Sequence, residues 1–143
     1  PYSVRAVDDL EAVVRSADIV SCATLSREAL VKGAWLKHGA HLDLVGAYTP
    51  DMRESDDEAV GRARVYVDTR AGALLEAGDI VQPLRAGIIG ESDICGDLFD
   101  LCRGEAVGRR SGDEITLFKS VGAAIEDLAA AVHTYSRLAS SAN

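Results

Sequence analysis

His41-Leu-Asp-Leu-Val-Gly-Ala47 is the stretch that decides the fold. Apart from His41 and Asp43 it is apolar or glycine, with Asp43 the one charge inside it, so it reads as a strand buried on both faces. Upstream, Ile19–Thr24 is a second apolar run without helical spacing. Downstream, Val65–Asp68 is a third. Helical segments are expected between them. Ser26–Leu36 reads as a helix ending near Gly39. Ser55-Asp56-Asp57-Glu58 has the form of a capping box, in which the Ser hydroxyl takes the Glu N–H and the Glu reaches back. That box opens a short helix ending before Arg64. Buried strands separated by helices predict an α/β fold, a Rossmann-type parallel sheet with helices on both faces and right-handed crossovers.

Further out, the periodicity changes. Leu10, Val13, Val14 and Ala17 fall at i, i+3, i+4 and i+7, one face of a helix capped by Asp8 and Asp9. They follow a weak apolar run, Val4–Val7. Beyond Asp68 the strand–helix alternation stops. Ala71–Glu76 reads as a short helix closed by Gly78, and Ile94–Cys102 as another closed by Gly104. A strand over Ile115–Lys119 follows, then a long helix from Gly122 to Ala139 with the stripe Ile125, Leu128, Ala129, Val132 and Leu138.

The 143 residues suit one domain, and 48% hydrophobic content is enough for a core. The longest charge-free stretch, Leu128–Ser136, falls far short of the ~20 residues that span a bilayer. A net charge of −8 argues against nucleic acid, whose recognition needs clustered Lys and Arg. No basic leader with an apolar run opens the chain, so a cytoplasmic setting is expected. Cys22, Cys95 and Cys102 form no CxxC pair, and with His38, His41 and His133 they share no ligand spacing. No metal site is expected. Cys95 and Cys102, seven apart, are expected on one helix face as buried thiols in a reducing compartment.

Ligands of open parallel sheets bind beyond the carboxyl ends of the strands. Cys22-Ala23-Thr24, Val45-Gly46-Ala47-Tyr48 and Asp68-Thr69-Arg70 are therefore the segments to inspect. Gly46 at a strand end admits close approach of a ligand or another backbone. The fingerprint G-x-G-x-x-G is absent, and Gly87-Ile-Ile-Gly90 is only turn-like. Asp56, Asp57 and Glu58 are explained by helix capping rather than as catalytic carboxylates. A phospho-receiver domain would need an acidic pair after its first strand, whereas Asp8 and Asp9 lead into a helix.

Four ordered blocks carry a likeness to a known family. They are Ala17-Asp-Ile-Val-Ser-Cys-Ala-Thr24, the loop-bearing stretch Gly39–Arg53, Arg64-Val-Tyr-Val-Asp68, and Asp113–Gly122 continued by Glu126-Asp-Leu-Ala129. Together they resemble the ornithine cyclodeaminase/mu-crystallin family across essentially the whole chain. The resemblance implies a Rossmann domain for NAD or NADP coupled to a second domain that binds substrate and dimerises. It also implies that residues 1–143 are a partial nucleotide-binding domain with a C-terminal helix. The N-terminal domain and the glycine fingerprint would then precede Pro1, which fits a chain whose only methionine is Met52.

Residue by residue, the resemblance implies cofactor contacts at Thr24, Val45, Gly46, Ala47 and Ser120, the last at a helix start. It implies a substrate contact at Val121. The family's cyclodeaminases carry an Asp where this chain has Tyr48, and a Lys where it has Met52. Cyclodeamination needs a base active near neutral pH, and a Tyr with reference pKa ~10 is a poor one. Reducing a cyclic imine asks only for a hydride, a carboxylate clamp and a dry site. Tyr48 is then the catalytic candidate, donating a hydrogen bond or walling the pocket. The expectation is a reductase of cyclic ketimines such as 1-pyrroline-2-carboxylate, working as a homodimer on a small imine or amino acid. The alternatives are ornithine cyclodeaminase, an alanine-type dehydrogenase, or a non-catalytic crystallin-like binding protein.

Overall fold

A computed structural model describes residues 3–141. Its five strands are β1 (Ile19–Cys22), β2 (His41–Leu44), β3 (Arg64–Val67), β4 (Ile94–Asp97) and β5 (Thr116–Lys119). All pair in parallel, in the order β1-β2-β5-β3-β4. The helices are α1 (Leu10–Ser16), α2 (Asp57–Arg62), α3 (Arg70–Glu76), α4 (Gly78–Arg85), α5 (Leu98–Arg103) and α6 (Ala124–Ser141). Because every strand runs the same way, the loops after Cys22, Leu44, Val67 and Lys119 emerge along one edge.

One sheet face carries the core. Leu42, Leu44, Val65, Val67 and Leu117 point there and meet Val14, Val60, Ala73 and Ile80 from the helices. On the other face, Leu98 and Leu101 of α5 stand near Tyr66 and Phe118, and the Tyr66 hydroxyl donates to Val107 O at 2.7 Å. This cover stops short of β1, where Ile19 and Ser21 are exposed. Helices thus lie on both faces, as expected, but unequally.

Several local expectations are corrected. Ser26–Leu36 is not a helix; only Gly33–Trp35 makes a single 3-10 turn. The N–H groups of Leu30 and Val31 donate instead to Glu54 O, both at 2.9 Å. Gly33 lies so close to α2 that a Cβ would stand 2.4 Å from Ala59 N. Tertiary pairing overrides the local pattern here. The cap of α2 is Asp56, whose carboxylate accepts from Ala59 N at 2.9 Å, while Ser55 is buried and bonded elsewhere.

Ile94–Cys102 splits into β4 and α5, because Asp97 caps the helix in a reciprocal pair with Asp100. Cys95 and Cys102 therefore share no helix face. Cys102 is exposed, and Cys22 and Cys95 are half-buried. Gly104 does close α5, in the left-handed conformation. Gly78, which reads as a helix stop, instead opens α4, and Pro83 stands inside that helix. Val4–Val7 forms no strand, and Val4 is exposed. The stripe on α6 is present but open: Ile125, Leu128, Val132 and Leu138 are all more than half exposed.

Candidate functional site at the carboxyl edge of the sheet

The chain leaves β1 at Thr24 and β2 at Val45, and the two exits are joined by backbone. Val45 N donates to Cys22 O at 2.8 Å, and Ala47 N donates to Thr24 O at 3.2 Å. Gly46 is required where it stands: a Cβ there would meet Thr24 O at 2.1 Å and Thr24 N at 2.5 Å. Ala47, fully buried, has φ of 50° in the left-handed region that disfavours L-residues. Strands β2 and β5 are adjacent, so Ser120 N reaches Leu44 O at 3.0 Å. The structure thus brings Thr24, Val45, Gly46, Ala47 and Ser120 to one edge.

Two expected residues sit differently. Tyr48 is about half exposed, and its hydroxyl has no hydrogen-bond partner among the described residues. Val121 packs against the core and faces Gly72, so its side chain is partly spent on structure. Ser120 is not at a helix start either, because α6 begins four residues later at Ala124. Its hydroxyl donates to Asp68 Oδ2 at 3.1 Å and accepts from Gly122 N at 3.1 Å.

Asp68 organises that turn. Its Oδ2 also accepts from Val121 N at 2.8 Å and Gly122 N at 2.9 Å, and its Oδ1 accepts from Thr69 N at 2.6 Å. The carboxylate is buried, so these four donors replace water. Beside it a cleft of about 210 Å³ opens between α5 and the start of α6, lined by Asp68, Thr69, Leu98, Phe99, Ala123 and Ile125 among others. A second cleft, about 390 Å³, faces His41, Tyr66 and Thr116 on the other sheet face and holds none of the candidate residues.

Beneath the edge lies a buried polar group that sequence reasoning missed. Lys119, Asp79 and Glu54 are all fully buried. Lys119 Nζ donates to Gly46 O and stands 3.6 Å from Asp79 Oδ2. Asp79 Oδ1 accepts from Glu54 N at 2.9 Å, Ser55 N at 2.9 Å and Ser55 Oγ at 3.0 Å. Glu54 Oε1 accepts from Thr24 N. Burial pushes the Lys119 ammonium below the usual lysine range, against the pull of Asp79 and Glu54. Burial, with Glu54, Asp79 and Asp43 nearby, pushes the Cys22 thiol up to about 11. The available signal was a lysine closing an otherwise apolar strand. Asp79 gives none, because it follows Gly78 in a segment whose sequence does not signal a helix.

A family model described as the ornithine cyclodeaminase/mu-crystallin family matches residues 1–142. The Delta(1)-pyrroline-2-carboxylate reductase of Paracoccus denitrificans is 47% identical over 125 residues, 87% of this chain and 40% of that protein. The Thermococcus litoralis Delta(1)-pyrroline-2-carboxylate reductase, solved with NADH and L-proline, superposes with a TM-score of 0.82 at 42% identity. That superposition covers 85% of this chain and 38% of the other. An archaeal alanine dehydrogenase dimer with bound NAD gives a TM-score of 0.87 at 33% identity, over 96% of this chain and 42% of its own. The chain spans about 40% of the length of these relatives. With the strand order, the joined exits of β1 and β2 and a match over nearly every residue, the chain belongs to the ornithine cyclodeaminase/mu-crystallin family.

Proposed function

We propose that this chain forms the nicotinamide end of the NAD(P) site of a cyclic-ketimine reductase, acting within a longer protein. The observation that carries the reading is the convergence of Thr24, Val45–Ala47 and Ser120 on one strand edge. Gly46 lets the exits of β1 and β2 close on each other, and Val45 and Tyr48 on either side of the buried Gly46–Ala47 pair stay exposed to receive a flat ring. Thr24 and Ser120 offer hydroxyls for its carboxamide. These residues fit that end of the cofactor. The pyrophosphate end has no counterpart, since no glycine fingerprint occurs in the 143 residues. When bound, NAD(P)H supplies the hydride that reduces the imine carbon.

The chain's own residues hold and shape. Asp68 fixes the Ser120–Gly122 turn, so the Ser120 hydroxyl is oriented before any ligand arrives. Tyr48, half exposed beyond the β2 exit, walls the substrate side and offers a phenolic O–H. Val121 backs the same turn. The pyrroline-2-carboxylate reductases among the relatives support a cyclic imine as substrate. The homodimer we propose draws on the dimeric alanine dehydrogenase neighbour and on the open stripe of α6. No helix among the described residues is long and apolar enough to cross a membrane. Three free thiols suit a reducing cytoplasm.

The test is a comparison of substrates on the full-length protein. We expect kcat/KM for NAD(P)H-dependent reduction of 1-pyrroline-2-carboxylate to exceed that for ornithine deamination, or for pyruvate with ammonia, by at least about tenfold, ~1.4 kcal/mol in barrier. Preference for ornithine would overturn the reductase reading, and preference for pyruvate with ammonia would favour the alanine-type alternative. Absence of all three activities would favour a binding protein.

A further inference from the structure

The buried charges close a circuit. Lys119 Nζ holds Gly46 O, and Ala47 N, on the other side of the same peptide, donates to Thr24 O. Thr24 N donates to Glu54 Oε1, Glu54 N donates to Asp79 Oδ1, and Asp79 Oδ2 faces Lys119 again at 3.6 Å. The Gly46–Ala47 peptide is thereby pinned at both its oxygen and its nitrogen. The circuit ties the ends of β1, β2 and β5 to the first turn of α4.

Stability alone does not account for this group. Replacing a buried ion pair by apolar side chains is often neutral or stabilising. Glu54 Oε2 and Asp79 Oδ2 have no hydrogen-bond partner among the described residues, so the group is not optimised as a polar network. What it does fix is the unfavourable left-handed backbone at Ala47 and the close approach of Gly46 to Thr24. Both lie where the proposed function puts the nicotinamide.

We propose that Lys119 is a positioning residue for the nicotinamide end of the site, its buried ammonium clamping the Gly46 carbonyl so that the Thr24 and Val45–Ala47 segments keep their ligand-receiving shape. Asp79 and Glu54 complete the clamp and touch neither cofactor nor substrate. The inference rests on the proposed function.

The experiment compares NADH with ADP-ribose, which lacks the nicotinamide ring, by calorimetry on the full-length protein. In Lys119→Met, NADH affinity falls about tenfold or more, toward that of ADP-ribose, while ADP-ribose affinity stays within about twofold. Equal losses for both ligands, or no loss for either, overturn the proposal. Lys119→Met leaves Asp79 unpaired and can prevent folding, so Lys119→Met/Asp79→Asn is measured alongside: the amide oxygen of the new side chain still accepts from Glu54 N while the clamp is gone. If neither variant folds, nitrogen NMR of Lys119 Nζ in the unmutated protein decides. Its resonance moves on adding NADH and not ADP-ribose; movement with both or with neither overturns the proposal. If the unmutated protein binds NADH no tighter than ADP-ribose, the proposed function itself fails, a result distinct from loss of the Lys119 effect.

Discussion

Substituting Gly46 by Ala asks one carbon to enter a space that three atoms already occupy. The new Cβ would stand 2.1 Å from Thr24 O, 2.5 Å from Thr24 N and 2.4 Å from Glu54 Oε1. Two of these belong to backbone and cannot swing aside, so the exits of β1 and β2 must separate. Overpacking of this kind costs about 1–3 kcal/mol, and weakening the Glu54–Thr24 hydrogen bond adds about 1 kcal/mol, for a total of about 2–4 kcal/mol. At ~2 cal/mol/K of unfolding entropy per residue, a chain of 143 residues loses ~3 °C of Tm per kcal/mol, which gives about 7–13 °C. Thermal unfolding followed by circular dichroism reads this directly. Gly108→Ala is the control, because nothing lies within 4 Å of its added Cβ; it moves Tm by less than ~2 °C. A Gly46→Ala protein melting within ~2 °C of its parent would refute the close approach of the two exits.

Asp68→Asn removes the charge and turns one acceptor into a donor facing N–H groups. Denaturant unfolding is expected to show a loss of about 2–4 kcal/mol, and a change below ~0.5 kcal/mol contradicts the role given to Asp68. Cys102 is exposed and Cys22 is raised from 9.0 to about 11. At pH 8, Cys22 carries about a hundredth of the thiolate of an ordinary cysteine, partly offset by its greater nucleophilicity. Iodoacetamide with mass mapping thus labels Cys102 at least about tenfold faster. The Cys22 shift also means that the folded state holds its proton longer than the unfolded chain, so this group's contribution to stability falls between pH 9 and 11. Finally, the open stripe on α6 predicts self-association of the isolated chain. Val132→Glu should weaken it in sedimentation experiments by about tenfold or more, since a charge replaces an exposed side chain whose burial on association is worth ~1.5–3 kcal/mol.

The parallel sheet was legible because β1, β2, β3 and β5 are short apolar runs that cannot be amphipathic helices at that length. The edge of the sheet as the place for a site followed from parallel topology alone, and Gly46 from its position at a strand end. The elements missed share a cause, which is that distant partners set the local conformation. Leu30 and Val31 pair with Glu54 across more than twenty residues, so the apparent helix over Ser26–Leu36 never forms. Gly78 is glycine because Met52 O leaves no room for a Cβ, not because a helix stops there. The boundary between β4 and α5 is the exception, because the Asp97–Asp100 cap that sets it is local, three residues apart, and is masked by the apolar residues on either side. Lys119, Asp79 and Glu54 lie 25 to 65 positions apart, and only folding shows that they meet.

The central claim, that the carboxyl edge carrying Thr24, Val45–Ala47 and Ser120 receives the nicotinamide, is tested most directly by isotope-edited NOE spectroscopy of the full-length protein with NADH. Cross-peaks are predicted from the nicotinamide ring protons to the methyl groups of Thr24, Val45 and Ala47. Cross-peaks to those methyls from the adenine protons, or from no part of NADH while it is bound, would contradict it.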